Sequence, residues 1–204
     1  MKIEKEEIYN LPLWHYDGNI VLIDNQKDLN KIIKKIKSCE ELGFDTETRP
    51  AFKKGEIYKV SLLQLATDEE VYLFRLNKCG FPSQLQQLLA NKKNKKIGVG
   101  LRDDLKKLPW NTNYSPAGFI DLQNLAEHYG IEDKSFVKLM AIIFHVHISK
   151  RQQTSNWERT SLSEEQMIYA ATDAWGALKM YQELQKNWKE VLSNQQTEIT
   201  NEPA

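Results

Sequence analysis

Hydrophobic residues recur along this chain with two different spacings, which predict strands and helices. Short apolar runs, or runs in which apolar and polar residues alternate, predict strands at NIVLID, ELGFDTET, YKVSLLQLAT, EVYLFRL, KKIGVG and GFIDL. Apolar residues three or four positions apart predict helices at NQKDLNKIIKKIKSCE, SQLQQLLAN, LRDDLKKL, LAEHYG and SFVKLMAIIF. Three strands precede an alternation of helices and strands. We therefore expect an α/β fold with a mixed sheet of about five or six strands flanked by helices.

A long C-terminal helix is predicted to begin near Ser163. Ser163 and Gln166 form a capping-box pattern, and Leu162 is placed to pack on Met167 as a hydrophobic staple. The chain then closes with SNQQTEITNEPA, which is polar and predicts a loose tail. This pattern divides the chain into an N-terminal arm over residues 1–18, a folded domain over 19–190 and a polar C-terminal tail over 191–204.

Composition limits the chain to one core and gives it no overall electrostatic field. A chain of 204 residues, 41% of them hydrophobic, can bury one good core. Its 28 basic and 28 acidic residues balance, so any polyanion must be held by a local arrangement. The N-terminus is too charged for a signal peptide, and no apolar run approaches the length of a membrane span. We expect a cytoplasmic protein with reduced cysteines and no membrane partner.

Three acidic residues occupy positions that the predicted elements make either convergent or partly buried. Asp45 and Glu47 stand two apart on a strand, so both side chains leave the same face. A solvated strand face is the simpler explanation of this pair. Asp104 flanks a helical stripe, whereas Asp103 points away from it, and an ordinary acid at a helix N-terminus is the simpler explanation here. The stripe consists of Leu101, Leu105 and Leu108.

Tyr169 and Asp173 stand four apart on the final helix and therefore share one face. They lie beside an apolar patch, and this position predicts a partly buried aspartate next to a hydroxyl group. A tyrosine that hydrogen-bonds a buried aspartate for packing is the alternative. The polar strip of the helix is predicted to lie elsewhere, at Thr172, Gly176, Lys179 and Glu183.

The four acids together indicate a metal site. Without an equal number of adjacent basic residues, Asp45, Glu47, Asp104 and Asp173 would repel one another strongly in a cleft of low dielectric constant. Divalent cations would remove that repulsion. Ligands that offer only oxygen favour Mg²⁺ or Mn²⁺, since zinc is expected to recruit histidine or cysteine.

Three segments resemble, in order and context, the motifs of the DEDD superfamily of 3′-5′ exonucleases, tyrosine subtype. They are GFDTET, KIGVGLRDDLKKL and SNWERTSLSEEQMIYAATDAWGALKMYQEL. The resemblance covers roughly residues 20–188. Within the superfamily, the three segments look most like the exonuclease domain of the Werner syndrome helicase and ribonuclease D. YAATDA with the upstream SNW is the most specific part. The resemblance implies a ribonuclease H-like fold and makes residues 19–190 the exonuclease domain.

The resemblance also implies a role for each candidate catalytic residue. Asp45 would bridge two metal ions, Glu47 and Asp173 would complete the first metal site, and Asp104 would reach the second, partly through water. Tyr169 would hold the attacking water. Because all five positions are filled, nothing in the motifs suggests an inactive member.

The second motif also decides between two neighbouring acids. In the family, the acid is followed three residues on by a lysine and four on by a leucine. Lys107 and Leu108 meet this requirement for Asp104 and not for Asp103. The helical pattern favours the same residue.

The implied reaction is hydrolysis of phosphodiester bonds from the 3′ end, with release of nucleoside 5′-monophosphates. Two Mg²⁺ or Mn²⁺ ions, roughly 4 Å apart, would activate water and stabilise the departing oxygen. The implied partner is the single-stranded or recessed 3′ end of a nucleic acid, with DNA favoured over RNA by the Werner-like motif context. The alternative is a catalytically silent nucleic-acid-binding or adaptor module, which the intact acids argue against.

Further residues are candidates for contacts with nucleic acid. Lys53 and Lys54 follow the first motif, and Arg102 adjoins the acid of the second motif; each could bind phosphate or simply be solvated. Trp157 could stack on a base, although a core tryptophan is the better interpretation.

Overall fold

The computed structural model describes the backbone of residues 1–27, 29–53 and 55–200 and the side chains as far as residue 186. Within these residues one mixed sheet has the strand order β1-β4-β3-β2-β5-β6. Its strands are β1 (Asn19–Ile23), β2 (Glu41–Thr48), β3 (Val60–Ala66), β4 (Glu70–Arg75), β5 (Lys95–Gly98) and β6 (Phe119–Asp121). The helices are α1 (Lys5–Tyr9), α2 (Leu29–Lys37), α3 (Leu76–Cys79), α4 (Ser83–Leu89), α5 (Leu101–Lys107), α6 (Leu122–His128), α7 (Phe136–Phe144) and α8 (Glu164–Thr200).

The sheet combines an antiparallel centre with parallel flanks. Strands β2, β3 and β4 pair antiparallel in succession, whereas β1 runs parallel to β4, β5 parallel to β2, and β6 parallel to β5. The predicted mixed sheet with flanking helices is therefore confirmed. All six strands and the long C-terminal helix were predicted, whereas α1 and α3 were not.

Helices cover both faces of the sheet. On one face, α2, α4 and α5 share a core with Phe44 of β2, to which Ile36, Leu85 and Leu101 contribute. On the other face, α8 packs on β3 and β4 while α6 and α7 pack beside it, with Leu178 fully buried. None of the described helices combines the length and apolar character needed to cross a bilayer. Both cysteines are free thiols, and Cys79 lies in the core.

Helix α8 begins as predicted and continues farther than predicted. The Ser163 backbone N–H donates to Gln166 Oε1 (3.1 Å), and the Gln166 N–H donates to Ser163 Oγ (3.3 Å), which completes the capping box. The backbone then stays helical to Thr200. The segment SNQQTEITNEPA was expected to be loose, yet its described part is helical, and the domain boundary at residue 191 stays a prediction. Residues 191–200 contain no glycine or proline, so nothing in the local sequence ends the helix. Residues 201–204 lie outside the described part.

The N-terminal arm packs against the last helix. The Tyr16 N–H donates to Thr172 Oγ1 (3.0 Å), and the rings of Trp14 and Trp175 stack at 5.4 Å. The predicted polar strip of α8 is therefore wrong at two positions. Thr172 is 2% exposed because the arm covers it, and Gly176 is buried against α7.

Candidate active site

Helix α8 crosses strand β2 in direct backbone contact at Gly43. A Cβ atom on Gly43 would lie 1.9 Å from the carbonyl oxygen of Ala174, so only glycine permits this approach. Because side chains alternate along a strand, Asp45 leaves β2 on the same face as Gly43 would. Asp173 precedes Ala174 on the helix. The crossing therefore brings a carboxylate of α8 against the acids of β2.

Three carboxylates converge in one cleft next to this crossing. Asp45, Glu47 and Asp173 each offer an oxygen, and these oxygens lie within 4.8 Å of one another. Asp45 and Asp173 are half-buried, whereas Glu47 is 8% exposed. The cleft has a volume of about 270 Å³, and Tyr169 and Lys150 also line it. This arrangement matches what a divalent cation requires of oxygen ligands.

Asp104 approaches the same strand from its open side. Strand β2 pairs with β5 only as far as Gly43, which leaves the next residues of β2 accessible to helix α5. A Cβ atom on Gly98 would lie 2.6 Å from the Phe44 carbonyl oxygen, so the start of α5 can come close to β2. Thr46 Oγ1 donates to Asp104 Oδ1 at 2.7 Å. Asp104 therefore stands at the side of the three-acid group rather than within it.

Burial raises the pKa values of all four acids, and repulsion within the cluster raises those of Asp45 and Glu47 further. Burial raises the pKa of Asp45 well above its ordinary value, and the charges of Asp173 and Asp104 raise it further. Burial, followed by the charge of Asp45, raises the pKa of Glu47 to about 10. Burial raises the pKa of Asp173 to about 7 and also raises that of Asp104. A cluster of carboxylates with raised pKa values is typical of functional sites.

Two neighbouring side chains stabilise the ionised form of the Asp173 carboxylate. The Tyr169 hydroxyl lies beside its carboxylate, and the positive charge of Lys150 also lowers the pKa of Asp173 against the effect of burial. The pKa of the Tyr169 hydroxyl is itself raised, mainly by burial and then by the charge of Asp173. Tyr169 thus stays protonated and can act as a hydrogen-bond donor at neutral pH.

We expect the metal-free protein to lose stability as the pH rises from about 4 towards 10. The pKa of Asp173 is about 7 and that of Glu47 about 10 in the folded chain, against ordinary values of 3.8 and 4.5. Between those limits the folded state binds more protons than the unfolded state, so the free energy of unfolding falls with rising pH. Melting curves recorded with a chelator at pH 5, 7 and 9 would show this loss of stability as a falling melting temperature. A melting temperature that rises over this range would contradict the expectation, and Glu47→Gln should flatten the dependence.

Gln64 is a polar residue at this site that the sequence analysis missed. It is fully buried and stands directly opposite Asp45 in the β2–β3 ladder. Neither its amide nitrogen nor its amide oxygen has a hydrogen-bond partner within the described residues. Its amide is thus a buried polar group without a partner in the described part of the chain, next to the strand position that carries Asp45. An apolar strand pattern gives no sign of such a residue.

The residues predicted to contact nucleic acid lie in different environments. Trp157 is fully buried in the core, which agrees with the favoured interpretation and excludes the alternative that it stacks on a base; its ring lies 6.1 Å from that of Tyr169. Lys53 and Arg102 are exposed and do not line the cleft, and their contacts stay a prediction. Lys54 lies outside the described residues.

Lys150 is a second residue that the sequence analysis missed. Its charge acts on Asp173, and it lines the cleft. The signal was present in the basic pair of SKRQQTSNW, immediately before the third motif. A pair of exposed basic residues is too common in sequences to mark a site by itself.

Comparisons with known proteins agree with this geometry. The family model described as 3′-5′ exonuclease matches residues 20–189. The mouse bifunctional 3′-5′ exonuclease/ATP-dependent helicase WRN is 32% identical over 86% of this chain and 13% of its own length. Ribonuclease D of Gluconacetobacter diazotrophicus is 29% identical over 79% of this chain and 41% of its own length. The chain thus spans only part of these relatives.

A solved structure shows the same fold. The EXO domain of Nibbler from Aedes aegypti superposes with a TM-score of 0.74 at 21% identity, covering 88% of this chain and 93% of that one. The ribonuclease H-like fold implied by the motifs is therefore confirmed. Exonucleases of this family are hydrolases that depend on divalent metal ions, and the acidic cluster is present here. This chain belongs to the 3′-5′ exonuclease family.

Proposed function

We propose that this chain removes nucleotides one at a time from the 3′ end of a nucleic acid. The observation that carries the proposal is the convergence of Asp45, Glu47 and Asp173 within 4.8 Å in an open cleft beside Tyr169. The reaction would be hydrolysis of the terminal phosphodiester bond, with nucleoside 5′-monophosphates as products.

The acidic residues fit a pair of Mg²⁺ or Mn²⁺ ions. Their pKa values are raised first by burial and then by mutual repulsion, and bound divalent cations would offset both effects; their donor atoms are all oxygen. Asp45, Glu47 and Asp173 would hold one ion, and Asp45 with Asp104 would hold the second. When bound, such ions supply Lewis-acid charge that activates water and stabilises the departing oxygen.

The side chains of the cleft position the reactants. The protonated Tyr169 hydroxyl, beside Asp173, would orient the attacking water towards phosphorus. Lys150 would bind a phosphate oxygen at the entrance of the cleft. Thr46 would keep the Asp104 carboxylate turned towards β2 through the 2.7 Å hydrogen bond.

We expect Tyr169→Phe to lower kcat about tenfold to a hundredfold, with little change in KM. The ring remains and only the hydroxyl that orients water is lost, and a slightly misplaced reactant costs up to about 100-fold. Steady-state hydrolysis of a labelled oligonucleotide measures it. Tyr181→Phe is the matched control, since Tyr181 lies on the same helix and does not line the cleft. Equal losses from both variants would contradict the role of Tyr169.

We propose DNA as the preferred substrate, supported by the similarity to the WRN protein, and RNA as the alternative, supported by the ribonuclease D relative. The test uses 5′-labelled single-stranded DNA, matched RNA and a recessed duplex, each with Mg²⁺ or Mn²⁺. We expect a ladder that shortens from the 3′ end, fastest on DNA. Absence of a ladder from every substrate would overturn the enzymatic proposal and favour a silent nucleic-acid-binding module.

We further propose that residues 19–190 form the exonuclease domain and that the protein works in the cytoplasm. The first is supported by the match over residues 20–189. The second is supported by the free thiols of Cys39 and Cys79, which suit a reducing compartment.

A further inference from the structure

The N-terminal arm forms a fixed wall beside the cleft. The His147 N–H donates to the Pro12 carbonyl oxygen, and the Trp14 N–H donates to the His147 carbonyl oxygen, each at 2.9 Å. The rings of Tyr9 and His147 meet edge to face, with centroids 5.2 Å apart. Ile8 of helix α1 is 5% exposed and belongs to the core. The position of the arm is therefore defined by hydrogen bonds and packing.

A groove runs between this wall and the segment that follows α7. This arm groove has a volume of about 820 Å³, which is in the upper part of the range of roughly 300–1,000 Å³ for ligand cavities. It is lined in part by Lys5, Tyr9, Leu13, Lys138, His147 and Arg151. It also shares lining residues with the carboxylate cleft, namely Ser135, Val137, Ile148, Ser149 and Lys150. A chain molecule held at the carboxylates could thus continue from the cleft into the groove without leaving the surface.

The groove is basic although the chain as a whole is neutral. Among the described residues, its lining includes four lysine or arginine side chains and no aspartate or glutamate. Lys138 is ion-paired with Asp133 at 2.7 Å. Lys5, Lys150 and Arg151 form no ion pair in the part of the chain with described side chains. Three cations are therefore available for phosphates, in a protein whose formal net charge is zero.

Tyr9 offers this groove an aromatic surface. Its side chain is 62% exposed, and the Lys5 ammonium group lies 6.0 Å from the ring centroid. An exposed aromatic ring next to free cations is the combination with which proteins bind single-stranded nucleic acid, because bases stack on the ring while phosphates pair with the charges.

We propose that the arm groove binds the single-stranded part of the substrate upstream of the 3′-terminal nucleotide. This inference rests on the proposed function, which places the 3′ end at the carboxylates. Tyr9 stacks on a base, and Lys5 and Arg151 pair with phosphates. The groove thereby makes affinity depend on the length of the strand.

The test compares long and short substrates in two groove variants, Lys5→Ala/Arg151→Ala and Tyr9→Ala. We expect each variant to lower kcat/KM about tenfold on a 12-nucleotide strand and to leave a dinucleotide unaffected. The basic variant should also reduce the slope of log Kd against log salt concentration by about 0.7 for each lost phosphate contact. Lys31→Ala/Lys34→Ala is the matched control, because those exposed lysines lie on α2 across the sheet. Tyr9→Phe should behave as wild type.

Equal losses on the dinucleotide and the long strand, or equal losses in the control, would overturn the groove proposal. Melting temperatures identify any variant whose fold is damaged, and the basic variant alters only exposed residues. Fluorescence anisotropy with the same strands separates this proposal from the proposed function. If wild type hydrolyses nothing, the enzymatic proposal fails, whereas length-dependent binding that the groove variants lose would still support the groove. Length-independent binding by wild type would refute the groove alone.

Discussion

Asp45→Asn is expected to abolish hydrolysis while making the metal-free protein more stable. Loss of this carboxylate removes the ligand proposed to join two ions, and such ions contribute several kcal/mol to the transition state, so the rate should fall at least about 1,000-fold. The same change removes a buried acid that is repelled by Asp173 and Asp104. At pH 8, with a chelator, we expect a gain of about 1 kcal/mol, or roughly 2–4 °C in melting temperature.

Asp103→Asn is the matched control for this prediction. The Asp103 side chain is 79% exposed and belongs to the same motif as Asp104, so its loss should change neither the rate nor the melting temperature by much. Single-turnover hydrolysis and thermal melting, with and without Mn²⁺, measure both effects. An Asp45→Asn protein that still hydrolyses at a tenth of the wild-type rate would exclude this residue from the chemistry.

Gly43→Ala is expected to separate helix α8 from strand β2 and to damage both stability and activity. The new methyl group would lie 1.9 Å from the Ala174 carbonyl oxygen, and backbone cannot yield there without moving the helix. Overpacking of this kind costs about 1–3 kcal/mol. Because Asp173 moves with the helix, we also expect kcat to fall about 100-fold. Thermal melting and steady-state kinetics test both parts.

Gly80→Ala distinguishes a displaced site from simple destabilisation. Gly80 has φ +72°, so alanine is strained there, yet a Cβ atom would meet nothing within 4 Å. We expect this control to lose stability of order 1 kcal/mol and to keep the wild-type kcat. If the Gly43 variant retains its kcat as well, the close crossing is irrelevant to the site.

The parts of the site that sequence could predict are those set by local periodicity. Strand β2 has the bounds expected from its apolar pattern, and alternation along the strand puts Asp45 and Glu47 on one face. The helical pattern also separates the exposed Asp103 from Asp104, which accepts a hydrogen bond from Thr46. Each of these inferences needs only the geometry of one element.

The parts that sequence could not predict depend on contacts between distant segments. Thr172 resembles a solvated helix residue, yet its hydroxyl donates to the Ile168 carbonyl oxygen and accepts from the Tyr16 N–H, so it can be buried at little cost. Gly43 has no side chain that could contribute to a hydrophobic pattern. It matters because the backbone of helix α8 packs directly against it at Ala174. The depth of Trp157 likewise depends on how three segments pack together.

The contact between Gly43 and Ala174 joins an early strand to the last helix, and this has a consequence for synthesis in the cell. A ribosome delivers Asp45 and Glu47 long before Asp173, and the ligand set cannot close until α8 has emerged and docked. Nascent chains in which α8 has not yet been made therefore lack Asp173, and their two β2 carboxylates have no third acid from α8 beside them.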